Sequence, residues 1–228
     1  MKHSGKARKA AFSLIFWTLV LLGLLLLVGV LAVVLGSVVV SAAVALVLFW
    51  AVFVVFTLYF FRDPSPRVPA GDSLVVSPGH GKVDVIDETT ESEFIDGPCK
   101  RISMFLSVFD VHVQNAPVTG RIVFYRYREG KFLNALNADC ATHNENALYG
   151  FEAQERDGAK VGVRLIAGLI ARRLVPWAAL GDEVVRGERL SLIQFGSRVE
   201  IYLPLSAQVR VKLGDRVKGG ETVVAQLT

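Results

Sequence analysis

Two long apolar runs open the chain, and everything after them alternates. Ala10 to Leu35 is almost wholly apolar, and so is Val38 to Phe61, with Gly36 and Ser37 between them. Each run exceeds the roughly 20 residues that a spanning helix needs. A two-residue break between them predicts a helical hairpin. A cleaved leader would carry an apolar stretch of only about 7–15 residues. From Leu74 onward the period changes to two. Val199, Ile201 and Leu203 alternate with Arg198, Glu200 and Tyr202, the pattern of a half-buried strand. "SLVVSPGHGKVDVID" predicts two short strands around a Pro-Gly turn, and "RISMFLSVFDVHVQNAPVTGRIVFYRYREGKF" predicts several more. The stretch from Asn137 to Asn146 is polar and loop-like.

One internal repeat refines the fold. "LGDEVVRGERL" begins at Leu180 and "LGDRVKGGETV" at Leu213, both of the form L-G-D-x-V-x-x-G-E. Gly-Asp turns the chain, the valine is buried and the second glycine turns it again. Such a pattern suits flattened barrels of the lipoyl or biotinyl type. No Met-Lys tip of a carrier hairpin is present, so the repeat supports architecture and not cofactor carriage. The expectation is a mostly β, compact antiparallel fold with lipoyl or barrel-sandwich-like repeats, preceded by a two-helix transmembrane hairpin. The expected divisions are residues 1–61 (cytoplasmic N-terminus and hairpin) and 62–228 (one domain with its own core).

Composition changes this picture little. Of 228 residues 52% are hydrophobic, and the excess sits in the two runs. Lys2, Lys6, Arg8 and Lys9 precede the first run, while Arg62 and Arg67 follow the second. The positive-inside rule then puts both ends in the cytoplasm of an inner-membrane protein, with Trp17, Trp50, Tyr59, Phe60 and Phe61 suited to the membrane. The net charge of +4 suits an anionic membrane surface. No aromatic-basic nucleic-acid motif is present, so no nucleic-acid partner is expected. Cys99 and Cys140 form no CxxC pair and read as reduced thiols; the four histidines lack zinc spacing, so no metal site is expected.

The chemistry sits at "RLSLIQFGSRVEIYLP", where Gly196-Ser197 interrupts a strand. Glycine weakens strands and marks a bulge or close backbone approach. A serine can attack the carbonyl carbon before it, converting the peptide bond to an ester. Elimination then breaks the chain and leaves dehydroalanine, which hydrolyses to a pyruvoyl group. Glycine at 196 permits the strained geometry, and a base must activate the hydroxyl. On that pair alone, a bulge with a surface serine remains the simpler reading.

The context decides otherwise. "FFRDPSPRVP", "VVSPGHGKV", "SVFDVHVQNAPVTG", "AGLIARRLVPW" and "FGSRVEIYLP" follow one another in the order found in the short bacterial and archaeal phosphatidylserine decarboxylases. The chain resembles that pyruvoyl-dependent proenzyme family from about Phe60 to its C-terminus. The resemblance implies self-cleavage between Gly196 and Ser197, giving a β chain (1–196) and an α chain (197–228). It implies a pyruvoyl group made from Ser197, which forms a Schiff base with the amine of phosphatidylserine and acts as an electron sink, yielding phosphatidylethanolamine with no external cofactor. It implies His112 as a general acid or base.

One motif departs from the family pattern, and one further position differs from some longer members. Ser-Pro-Ala-Asp-Gly is usual where this chain has "SPGHG", so Gly79 and His80 stand at the place of a triad-like aspartate. Three explanations stay open: His80 substitutes for the acid, Asp84 or Asp110 orients His112, or self-cleavage is slow or absent. Some longer members carry a second histidine three residues beyond the first, where this chain has Asn115. Arg172, Arg173 and Arg198 are candidates for the lipid phosphate. In a strand, Arg172 and Arg173 would face opposite sides, so at most one reaches a site. Expected partners are the phospholipid, the membrane and the two chains of one proenzyme, with a homo-oligomer left open. Competing readings are an archaetidylserine-type decarboxylase and a non-processing, non-catalytic β-barrel relative.

Overall fold

A computed structural model describes residues 5–32, 37–131, 143–156, 158–168, 174–194 and 197–228. The chain divides into two compact units, Gly5–Asp63 and Pro64–Thr228. The first holds α1 (Lys6–Ala32) and α2 (Ser37–Phe60). Both are long and apolar enough to cross a membrane, with almost none of their apolar surface buried. Phe16, Trp17, Leu24, Val52 and Val55 stand outward on these helices. In water that surface would be strongly unfavourable, whereas in hydrocarbon it is the expected state.

In the second unit the named strands all pair antiparallel. Its strands are β1 (Leu74–Val76), β2 (Gly81–Glu91), β3 (Gly97–Leu106), β4 (Val113–Asn115), β5 (Gly120–Arg128), β6 (Asn146–Ala153), β7 (Ala159–Ala167), β8 (Leu174–Pro176), β9 (Glu183–Val184), β10 (Arg189–Ile193), β11 (Ser197–Leu203), β12 (Gln208–Val209), β13 (Arg216–Val217) and β14 (Val223–Gln226). Eight form one curled sheet in the order β13-β2-β3-β11-β7-β6-β5-β9. Two three-stranded sheets, β1-β14-β12 and β4-β10-β8, complete the half-barrel.

Alternation selects the inner face. Ile102 and Met104, Tyr149 and Phe151, Val161, Val163 and Leu165, and Val199, Ile201 and Leu203 all belong to one buried cluster. Full burial of each such side chain is worth roughly 1.5–3 kcal/mol. The outer face of the same strands carries a smaller cluster of Phe94, Cys99, Leu148 and Tyr202. Gly150 is required there, because a Cβ would lie 2.6 Å from the Phe94 ring.

The repeat expands into a pseudo-two-fold unit. Gly181 N–H donates to Ile122 (2.7 Å) and Ile122 N–H returns to Asp182 (2.9 Å). Gly214 N–H likewise donates to Val83 (2.8 Å) and Val83 N–H to Asp215 (2.9 Å). Gly187 N–H reaches Ala116, and Gly220 N–H reaches Ser77. These bonds align "SPGHGKV" (77–83) with "APVTGRI" (116–122), a second pair of related segments. Both turns need glycine, with φ of +91° at Gly181 and +93° at Gly214. His80 therefore corresponds to Thr119, and Lys82 to Arg121.

Candidate active site

Ser197 opens β11 and is paired on both sides, with Leu106 of β3 and Ala167 of β7. Period two puts its side chain on the inner face with Val199 and Ile201. The residue is fully buried, and its Oγ has no hydrogen-bond partner among the described residues. An unsatisfied buried hydroxyl costs about 1–3 kcal/mol. Arg198, one residue on, points to the opposite face.

The loop between Leu106 and β4 reaches both ends of the segment that precedes Ser197. Leu106 is the cross-strand neighbour of Ser197, and the carbonyl of His112 accepts from Ile193 N–H at 3.0 Å. Phe195 and Gly196 lie outside the described residues. Within the loop, Asp110 Oδ2 accepts from both the N–H and the Oγ of Ser107, each at 2.8 Å. That closes a turn and sets the carbonyl of Asp110 2.9 Å from His112 Nδ1. A carbonyl can only accept, so Nδ1 carries the proton of the neutral ring and Nε2 carries the lone pair. His112 is 1% exposed and ends the loop rather than lying in a strand. Gln114 Nε2 donates to its carbonyl at 2.7 Å, and Ser191 Oγ donates to Gln114 Oε1 at 2.7 Å.

His80 and Asn115 meet at Gly219. A Cβ placed on Gly219 would lie 2.7 Å from Asn115 Oδ1 and 3.2 Å from His80 Nε2. His80 is half-buried, and Gly79 lies over the site, its would-be Cβ 3.3 Å from Val199 and 3.7 Å from Leu106. Ser77 Oγ donates to the Gly79 carbonyl (2.6 Å), and Asn115 N–H donates to Pro78 (2.8 Å). A rigid turn therefore carries His80.

The carboxylates considered for orienting His112 are engaged. Asp84 receives both guanidinium nitrogens of Arg198, at 2.8 and 2.6 Å. The carboxylate of Asp110 serves Ser107 and stands 3.5 Å from Arg216, and its carbonyl meets His112 Nδ1. Arg198 is 1% exposed and also donates to Ser103 Oγ at 2.7 Å. Arg172 and Arg173 lie outside the described residues, as does Cys140. Cys99 is buried, which pushes its thiol up. Among the described residues no His, Cys, Asp and Glu cluster could hold a metal ion.

Sequence reasoning passed over Glu145 and Asn144. Both are buried beside the Ser197 strand pair: Ala167 N–H donates to the Glu145 carbonyl at 2.9 Å, and Asn144 Nδ2 donates to the Ala167 carbonyl at 2.7 Å. Their neighbours in sequence are ordinary loop residues, and nothing in their spacing marks them.

A family model for phosphatidylserine decarboxylase matches residues 53–225, most of the chain. The chain belongs to the phosphatidylserine decarboxylase family. It is 44% identical over 172 residues to the phosphatidylserine decarboxylase proenzyme of Desulfotalea psychrophila, covering 75% of this chain and 79% of that one. It is 42% identical over 198 residues to the proenzyme of Symbiobacterium thermophilum (84% and 91% covered). It is 40% identical over 201 residues to that of Geobacter metallireducens (88% and 90% covered). The family is one of carboxy-lyases acting on a phospholipid, and the mostly β antiparallel fold expected from the sequence is found, as a curled half-barrel.

Proposed function

We propose that the chain is a membrane-anchored proenzyme that cleaves itself between Gly196 and Ser197 and then decarboxylates phosphatidylserine to phosphatidylethanolamine. The observation that carries this reading is the Ser197 hydroxyl. It is buried on the core side of a doubly paired strand, without a hydrogen-bond partner among the described residues, next to a loop that ends in His112. A structural serine there would have acquired a partner.

The residues fit a pyruvoyl group built from Ser197. His112 Nε2 takes the Oγ proton, Oγ bonds to the Gly196 carbonyl carbon, and the 196–197 C–N bond breaks as nitrogen gains a proton. Elimination then removes the α-proton of residue 197 and breaks its Cβ–Oγ bond, releasing Gly196 as a carboxylate. Hydration of the resulting dehydroalanine expels ammonia. When formed, the group supplies an electron sink for the pair left by departing carbon dioxide. The surrounding burial excludes water, and His112 remains the proton carrier at the site.

In this reading His80 takes the place of the family's acid; it and Asn115 both border Gly219. Cleavage would not free the C-terminal chain. Its β11 lies between β3 and β7, β13 pairs with β2, and β14 pairs with β1. α1 and α2 are the membrane anchor in this reading, with both chain ends cytoplasmic as the flanking lysines and arginines direct.

Intact mass of the purified protein tests the proposal. A C-terminal fragment of residues 197–228 with a blocked N-terminus is expected. A single uncut chain of 24.9 kDa, persisting in lipid, would identify a non-processing relative.

A further inference from the structure

The two pseudo-symmetric turns have diverged in charge. Each exposes its first leucine, 61% for Leu180 and 64% for Leu213. Each is closed by the same aspartate bond, Asp182 Oδ2 to Ala179 N–H and Asp215 Oδ2 to Lys212 N–H. Around Leu213 stand exposed Lys82, Lys212, Arg216 and Lys218, against the carboxylates of Asp110 and Asp215. Around Leu180 the matching positions hold Arg121, Ala179, Glu183 and Val185, with Asp182. One turn is cationic and the other is slightly anionic.

The cationic turn adjoins the candidate active site. Arg216 of that turn stands 3.5 Å from Asp110 in the His112 loop. In that loop Phe109 is 64% exposed. Gly219, at the end of the turn, packs on His80. Exposed Phe109 and exposed Leu213, on segments linked by the Arg216–Asp110 contact and accompanied by four exposed cations, match the chemistry of an anionic bilayer surface: apolar side chains enter the headgroup boundary while lysine and arginine meet phosphate. A tether brings a domain to a bilayer but does not select the face that meets it.

We infer that Leu213 and Phe109, with Lys82, Lys212, Arg216 and Lys218, form the surface by which the catalytic unit docks on anionic lipid, presenting the Ser197 end of the sheet to the membrane. This rests on the reading that the substrate is a bilayer phospholipid. The acidic turn at Leu180 serves as an internal control, since it shares the backbone and the exposed leucine.

The test uses the full chain in nanodiscs of phosphatidylcholine, with or without a third of phosphatidylglycerol. An environment-sensitive fluorophore is placed by Leu213→Cys or Leu180→Cys in a Cys140→Ser background, and quenching by doxyl-labelled lipid is read. Quenching at 213, strengthened by the anionic lipid, is expected, with none at 180. Lys212→Glu with Arg216→Glu should lower the docked-to-undocked ratio by roughly five-fold per cation removed. Equal quenching at both positions, or quenching at 213 indifferent to anionic lipid, would overturn the inference. Appearance of the C-terminal fragment is scored on the same samples. Its absence would sink the self-cleavage reading while leaving the contrast between 213 and 180 intact.

Discussion

Arg198 grips Asp84 with both terminal nitrogens, at 2.8 and 2.6 Å, and does so one residue beyond the serine whose acyl bond the proposed reaction breaks. The guanidinium is buried and shares Ser103. It pins the start of β11 to β2 and β3 from the outer face, while Ser197 faces inward. Asp84→Asn keeps the size and removes the charge, leaving a buried cation with a neutral partner. In the uncut Ser197→Ala background we expect a loss of about 2 kcal/mol, reduced from a fully buried pair because Asp84 is partly solvated. For a domain of this size that lowers the melting temperature by roughly 5 °C. An unchanged melt would show that the pair contributes nothing.

His112 has its Nδ1 at the Asp110 carbonyl, which leaves Nε2 as the nitrogen that the proposed cleavage uses as its base. His112→Ala should slow appearance of the C-terminal fragment by about 10²–10⁴-fold, the usual worth of a positioned base, without unfolding the barrel. The check is a time course by gel with circular dichroism on the same sample. Cleavage at the parental rate would remove His112 from the chemistry.

His80 can be tested by placing a carboxylate at position 80. His80→Asp should process at least as fast as the parent, and His80→Ala about ten-fold or more slowly, if position 80 assists proton transfer. Gly219→Ala offers an orthogonal perturbation. Its Cβ would press on Asn115 Oδ1 and the His80 ring at 2.7 and 3.1 Å, so it should mimic His80→Ala. Indifference to all three changes would mean that His80 is spectator chemistry.

Tyr202 supplies a pH signature. Burial, then the adjacent Glu200 that accepts its hydroxyl proton, raises its pKa well above the ordinary tyrosine value. The folded state therefore holds this proton to higher pH than the unfolded chain, which releases it near about pH 10. Its contribution is complete below that value and is lost as pH rises above it, because there the folded state binds more protons. Urea unfolding between neutral pH and the alkaline range should show stability falling above about pH 10, with a shallower fall in Tyr202→Phe. An identical slope in the variant would contradict the assignment.

The outer-face polar network shows what pattern reading misses. Glu200 lies on the solvent-directed side of β11 by alternation, yet it is 2% exposed and joined to Arg101 and Tyr202. Alternation assigns a face but does not say what covers it. Here residues 92–95, at the β2–β3 turn, fold back so that Phe94 sits over Gly150 and the Glu91 carboxylate caps three backbone N–H groups. Arg198 belongs to the same lesson. As a sequence symbol beside the serine it was a candidate for phosphate, and its burial against Asp84 depends on a strand 114 residues away.

The sequence by itself determined the apolar hairpin, the β character of the rest, one repeat and the serine at which chemistry would occur. These are local properties: length of an apolar run, period along a strand, glycine at a turn, order of short motifs. Tertiary structure alone decided that Ser197 faces the core with no hydrogen-bond partner among the described residues and that the Asp110 carbonyl meets His112 Nδ1. It also decided that His80 and Asn115 share Gly219, and that one of two like turns stands beside the site. Each of these depends on strand register and chain crossing between residues far apart in sequence, and a one-residue slip in register would turn Ser197 to the opposite face.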